Sequence, residues 1–571
     1  MCEVNPATGN QWCTYPDATC PSGRRWSDFD TGDGLSGLCV GGGTNPDAGA
    51  DASEPPDAAV DTTAPTLTLT SPTDASTGID TSVVVSAVFS ENIAPASATS
   101  STFTLKVQGG SAVSGTVATN AATVTFTPTA PLSPDTSYVA EVTTGITDVA
   151  GNPLESGTTW TFTTKTGGWS TPDVLETELD KKAESLFVAS RGEYAIAIWT
   201  MRPCAGGTCG LDTVLWASIY SNGSWSTGAE VPTGSSRVIQ PSASINSSGV
   251  AFVVWGESGG GNFPVRAIRY QNGTWSGKTT LSTENLGDAE RPRIAVDDSG
   301  NAYAVWQQKD ASTTNIWANQ FTAGGAWGTS AKIETAAELA DRPVVEVTSA
   351  GTAVALWQQN NQMWASTNTG SSWSARSLVG SNGQGPAALV AASSGSMVAV
   401  WQGNPSSDIY ASRYTGSWST AEPIDADSGL SLRGSIGLSA DATSGDVLAV
   451  WPQGNSTPDE WYARLRPAQG WAAASRIESN GGAAGYGSVA YGTGGLAMAV
   501  WPQPDSGQVS LWSNAFSPTQ GWSAPTRVEL DNTSAVTGAP FVFFDPKTTT
   551  YVAVWTQTTV NPTSTYWSRF Q

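Results

Sequence analysis

Five glutamines, Gln308, Gln359, Gln453, Gln503 and Gln557, each stand two residues past a tryptophan, and Glu257 and Met201 hold the same slot elsewhere. Arg291 and Arg342 each follow an acidic residue and precede a proline, and Arg433 occupies a similar place. A further set of rings, including Trp216, Trp317 and Trp512, recurs at a third position. Flat aromatic faces beside amides and guanidiniums can hold a sugar, whose faces stack on the rings while its hydroxyls need planar donors and acceptors. The same residues have a quieter use. A glutamine can close a loop with a hydrogen bond, and an arginine can pair with the carboxylate beside it.

Other chemistry is narrowed by what the chain lacks. There is no histidine among 571 residues, which removes the commonest general base and the imidazole metal ligand together. A Ser-His-Asp hydrolase and a His-ligated zinc site are thereby excluded, while carboxylate, Tyr or Lys chemistry stays open. The formal charge of −23 argues against nucleic acid, whose phosphates require clustered Lys and Arg, and against an anionic membrane surface. The sequence assigns no catalytic residue, no metal and no cofactor. Six cysteines fall into two groups, Cys2, Cys13, Cys20 and Cys39 near the start and Cys204 with Cys209 around a Gly-rich loop. An even count without a CxxC pair favours disulfides and an oxidising compartment, with a metal site from the first four as the alternative. No stretch is apolar and long enough to span a membrane, and no export signal is present. Disulfides without an export signal point to a trimmed or miscalled start, with room for a lipid or cell-wall anchor upstream.

The elements that carry these residues repeat. A segment such as Ala-Val-Trp ends at Trp199, Trp255, Trp306, Trp357, Trp401, Trp451, Trp501 and Trp555, at intervals of 44 to 56 residues. A second tryptophan, usually in Trp-Ser, recurs at Trp169, Trp225, Trp275, Trp327, Trp373, Trp418, Trp471 and Trp522. The third aromatic position reads Trp216, Trp317, Trp364, Tyr410, Tyr462, Trp512 and Trp567, with Arg266 breaking the series. One unit divides into four short strands, RPRIAV (291–296), AYAVWQQ (302–308), NIWANQF (315–321) and AWGTSAKIE (326–334). Four antiparallel strands at this period are the blade of a β-propeller. Residues 167–571 are expected to make eight blades, closed by the strand at 168–176, or seven if the divergent unit 426–470 packs outside the ring. Most of the tryptophans are expected to fill the wedges between blades.

Tight turns such as DDSG and NSSG join first to second strands, whereas the second-to-third connections vary, among them TMRPCAGGTCGLD, GESGGGNFP and QGNPSSD. Long variable loops on a rigid ring are where recognition tends to sit. The glutamines and the Arg-Pro segments belong to that rim, and Cys204 with Cys209 is expected to pin one of its loops.

Upstream, residues 1–40 read as a cysteine-rich segment and 41–63 as a disordered acidic linker. Residues 64–166 change to alternating strands, TLTLTSP, SVVVSAVF, TFTLKV, ATVTFTP, SYVAEV and TWTFTT, at β-sandwich spacing. TAPTLTLTSPTDASTGID, SAVFSENI, FTPTAPLSPDTSYVAEV and GITDVAGNPL resemble the bacterial Ig-like domains of the SbsA surface-layer type. That resemblance implies a spacer or adhesive stalk on a secreted or surface protein. Further on, STNTGSSW (366–373) resembles an Asp-box of the sialidase-like BNR repeat, with Asn368 in place of Asp and Ser372 in place of Thr. A sialidase likeness implies an Arg triad, a Tyr nucleophile with a Glu partner and an Asp acid. Arg291, Arg342 and Arg433 are the arginines available, and no Tyr–Glu pair is defined; propeller lectins are an equal likeness.

The leading expectation is therefore an all-β, secreted or bacterial cell-surface binding or adhesion protein whose propeller recognises a glycan, another extracellular polymer or another surface protein. A polysaccharide-acting glycosidase or lyase is one alternative and a purely structural scaffold another.

Overall fold

In the computed structural model, the described residues are 2–4, 11–16, 24–26 and 61–570, the last span with short breaks of which 426–435 is the longest. Cys20, Cys39, Arg433 and residues 41–60 of the linker lie outside the described residues. The chain divides into two compact units after Thr63. In the first, Cys2–Val4, Gln11–Pro16 and Arg24–Trp26 form an antiparallel sheet that sets Cys2 opposite Cys13.

The second unit is all β apart from two single 3-10 turns among the described residues. It begins with two four-stranded sheets sharing one core. Strict alternation drives this packing: Val85–Phe89 and Ser137–Val142 each bury every second residue, because successive side chains leave opposite faces of a strand. Phe103, Phe126, Tyr138 and Trp160 fill the space between the sheets, with Phe103 and Trp160 at 5.7 Å.

Eight antiparallel sheets follow among the described residues, four of four strands, three of five and one of six, the larger ones gaining short extra pieces on a four-strand path. Their innermost strands are Lys181–Arg191, Val238–Ile245, Ala289–Val296, Ala340–Val347, Gly383–Ser393, Gly437–Ala440, Ser488–Tyr491 and Ala535–Asp545. Each of these lies against the next, and the last returns to the first, so the sheets form a closed ring. Asp173–Val174 supplies the outermost strand of the eighth sheet by pairing with Thr563–Phe570. The N-terminal strand thus completes the sheet at which the chain ends.

The tryptophan series shows why the sheets stack. All eight tryptophans of the Ala-Val-Trp series are fully buried. Each sits in a wedge between two sheets: Trp255 packs with Ile196 and Ile198 of the first sheet, and Trp199 with Val552 and Val554 of the eighth. The Trp-Ser series has a separate job on the outer strands. Its rings meet a third-strand aromatic in pairs such as Tyr220–Trp225 (5.2 Å), Tyr414–Trp418 (5.3 Å) and Trp169–Phe570 (5.4 Å). The serine then accepts a third-strand backbone N–H, as Ser226 does from Ile219 and Ser374 from Thr367, both at 3.0 Å.

The Ig-like sandwich rests against the seventh and eighth sheets. A side chain at Gly167 would run into the Phe570 ring and Pro134, and one at Gly110 into the Gly494 carbonyl. Glycine is what permits this close approach.

Candidate functional site

The glutamines face inward. Gln308, Gln359, Gln453, Gln503 and Gln557 are all buried. Each side-chain oxygen accepts the indole N–H of the tryptophan two residues earlier: Trp306 at 3.1 Å, Trp357 at 3.5 Å, Trp451 at 2.8 Å, Trp501 at 2.9 Å and Trp555 at 2.8 Å. The amide nitrogens tie down the loop entering the sheet, as in Gln308 to the Thr283 carbonyl (2.9 Å) and Gln503 to the Gly482 carbonyl (3.1 Å). Where Met201, Glu257 or Gly403 holds the slot, the indole N–H of Trp199, Trp255 or Trp401 has no partner. Of the two uses open to these five glutamines, sugar recognition and loop closure, their burial and hydrogen bonds serve loop closure.

The third-strand rings are also wedge residues. Trp216 is buried beneath the Lys181 ammonium at 5.5 Å, and Trp317 and Trp512 are half-buried in inter-sheet clusters. The register partners of Trp451 and Trp555 are Trp461 and Tyr566, one residue before the expected Tyr462 and Trp567. A one-residue slip turns a side chain to the other face of the sheet, so these two positions were misread. Asn368 of the Asp-box-like segment is buried and accepts the Gly370 N–H at 2.7 Å, a turn-closing role.

Arg291 and Arg342 behave differently. Each stands at a β-bulge on an innermost strand, where two residues face one tryptophan: Arg291-Pro292 opposite Trp306 and Arg342-Pro343 opposite Trp357. Ser185-Leu186 and Gln240-Pro241 do the same opposite Trp199 and Trp255. Proline is tolerated because an innermost strand has a free edge. At all four bulges the first residue has positive φ, +52° at Ser185, +50° at Gln240, +51° at Arg291 and +54° at Arg342. Left-handed backbone is costly for residues with a Cβ, and such strain gathers where a structure holds side chains for use.

The bulges bring the two arginines together. Asp341 lies 3.6 Å from Arg291 Nε and 3.3 Å from Arg342 Nε, with the guanidinium-bearing side chains 41% and 36% exposed. Side chains hold the strained backbone: Gln240 accepts the Arg291 N–H at 2.7 Å, and Gln307 the Arg342 N–H at 3.2 Å. Gln307 in turn donates to Glu290 at 3.3 Å. Two residues along the strand, Arg293 lines the central cavity of about 840 Å³, together with Arg191, Ser439, Ser488 and Phe541. Among the described residues no carboxylate is within ion-pair range of Arg293, whose Nη1 donates to the Pro292 carbonyl at 3.0 Å. Burial lowers its pKa from the ordinary value, and the neighbouring Arg291 charge acts in the same direction. Two guanidiniums thus meet at one aspartate on the rim of an otherwise acidic chain, with Arg293 two residues further along the strand, an arrangement suited to an anionic group.

Cys204 and Cys209 form a disulfide across the tip of a first-sheet hairpin on the same rim. Sequence reasoning paired Arg342 with its neighbouring acid but missed that Asp341 also meets Arg291, and it missed Arg293, Gln240 and Gln307; the residue-Pro step that recurs in the second, third and fourth innermost strands was the available signal. It also missed a series of buried acids on the outer strands. Glu176 and Glu529 accept the backbone N–H of Thr565 (2.7 Å) and Leu511 (2.8 Å), and Ser282 does so for Val265 (3.0 Å).

Residues 61–164 match the bacterial Ig-like domain family. No curated protein matches the sequence. Among solved structures, a Hadza microbial sialidase is similar over 51% of this chain and 71% of its own, at 13% identity and a TM-score of 0.33. A protein of unknown function from Dyadobacter fermentans is similar over 71% of this chain and 99% of its own, at 10% identity and a TM-score of 0.36. A fungal alcohol oxidase in complex with copper is similar over 58% of this chain and 73% of its own, at 15% identity and a TM-score of 0.37. At these scores the likenesses carry no argument about what this chain does.

Proposed function

We propose that this is an extracellular or bacterial surface binding protein. Its eight sheets are the blades of a β-propeller over 167–571, closed by the strand within 168–176. The rim at the start of its third and fourth innermost strands, where Arg291 and Arg342 flank Asp341, receives an acidic group on a glycan or another extracellular polymer. The observation that carries the reading is the convergence of Arg291 and Arg342 on Asp341 at strained bulges. Supporting it are the bacterial Ig-like match and a disulfide that suits an oxidising compartment. Arg291 and Arg342 would contact the acidic group, Asp341 would hold them in place, and Arg293 would set the positive field behind them.

Binding to immobilised polysaccharides tests this. A uronic-acid polymer and a sulfated polymer are expected to bind above a neutral glucan, and to weaken as salt rises. Arg291→Gln/Arg342→Gln should lower that binding about tenfold or more. Equal binding to the neutral glucan, or full binding by the variant, contradicts the proposal.

A further inference from the structure

The second sheet breaks the repeat at two linked positions. In the other seven sheets the residue opposite the buried tryptophan is aromatic: Trp216, Trp317, Trp364, Tyr410, Trp461, Trp512 and Tyr566. In the second it is Arg266, opposite Trp255. The slot two residues past that tryptophan holds Glu257, the one acid in the series. Glu257 turns from the indole to Arg266 Nε (2.6 Å), Lys278 Nζ (3.0 Å) and the Ser235 hydroxyl. The Trp255 N–H is left buried without a partner. Trp199 and Trp401 also lack a partner for the indole N–H, but the second sheet alone puts a charged pair in both the amide and the aromatic position, which marks a position kept for another purpose.

A cavity of about 330 Å³ opens at this break, between the second sheet and Gln308 of the third. Its lining combines the Glu257–Arg266 pair and Asn262 with the apolar Phe263, Pro264 and Leu286. Hydrogen bonds hold the walls in advance: Asn262 Nδ2 donates to the Leu286 carbonyl at 2.5 Å, Phe263 N to Asp288 at 3.1 Å, and Gln308 Nε2 to Gly287 at 3.3 Å. A pocket formed before binding saves the ordering cost a mobile loop would add.

We propose that this cavity is a second binding site, separate from the arginine cluster, and that it takes one neutral sugar residue. A pyranose has the matching form, an apolar C–H face for Phe263 and Leu286 and hydroxyls that both donate and accept. A carboxylate beside a guanidinium offers those hydroxyls an acceptor and a donor side by side. Arg266 and Lys278 are both already bonded to Glu257, so an anionic ligand would have to draw a cation off that carboxylate, whereas hydroxyls add to the existing contacts. The volume is at the small end for ligand pockets, which suits one or two sugar rings.

Saturation-transfer NMR on the full chain tests this with methyl glycosides of glucose, galactose, mannose and fucose, and with methyl glucuronide as the charged control. At least one neutral glycoside is expected to bind with a Kd of about 0.1–10 mM, tighter than the glucuronide. Glu257→Gln/Arg266→Trp, which restores the pattern of the other sheets, should weaken it about tenfold or more, as should Phe263→Ala, chosen on a loop so that folding is preserved. Arg291→Gln/Arg342→Gln should leave it unchanged, so this site and the arginine cluster fail or stand separately. No neutral binding, preference for the glucuronide, or full binding by both pocket variants overturns the proposal.

Discussion

The seventh and second sheets follow one plan and part company at two side chains. In the seventh, Trp501 donates to Gln503 at 2.9 Å, Gln503 ties the incoming loop at Gly482, and Trp512 fills the register opposite. In the second, Trp255 keeps its buried place while Glu257 and Arg266 replace the amide and the ring. The tryptophan is common to both because it fills the wedge; the amide and the second ring are open to exchange because the wedge keeps its buried tryptophan without them. Packing positions therefore define the scaffold, and departures at the finishing positions show where the scaffold has been put to use. The arginine bulges of the third and fourth sheets fit the same lesson, since Ser185 and Gln240 show that the bulge itself does not require a charge.

The largest expected effect tests whether the wedge is truly shared. Trp501→Ala and Trp255→Ala should each cost about 3–5 kcal/mol in denaturant unfolding, the range for emptying a fully buried large side chain. A near-neutral Trp255→Ala would break the comparison at its base. Next comes the amide. Gln503→Leu leaves the Trp501 N–H and the Gly482 carbonyl without their partner and should cost about 1–3 kcal/mol, with the loop entering the seventh sheet exchanging its amide protons faster.

The smallest effects are in the pH dependence. Burial works against the charge on Glu257, but bonds from Ser235, Lys278 and Arg266 outweigh it and bring its pKa down to about 2. Its contribution is present above the ordinary value of 4.5 and is lost as pH falls towards 2. Glu176 has the opposite sign: burial, only partly offset by the Thr565 and Ser564 bonds, raises it to about 6. The folded state then holds its proton more tightly, so stability is lost as pH rises from 4.5 through 6. Melting curves across pH should show Glu257→Gln flattening the acid side and Glu176→Gln flattening the fall between those two values.

Much of the ring was legible because its tryptophans are locked to strand register. The Ala-Val-Trp and Trp-Ser series each recur once per sheet, and hydrophobic alternation located the strands between them. The third position was harder to read, since loops of unequal length let the spacing drift by one residue, enough to exchange Trp461 for Tyr462. The site was less legible still. Burial of Gln308 depends on a loop folding over it, and an exposed amide and a buried one read alike in sequence. The contact of Asp341 with Arg291 was hidden for another reason: it spans fifty positions of chain, through a bulge that only the backbone reveals.

The central claim is that the second sheet gave up stability for a site, and equilibrium unfolding of the repaired variant tests it most directly. Glu257→Gln/Arg266→Trp should return a partner to the Trp255 N–H and make the chain more stable than wild type by about 1 kcal/mol. A variant less stable than wild type would mean that Glu257 and Arg266 serve the fold itself, and would contradict the account.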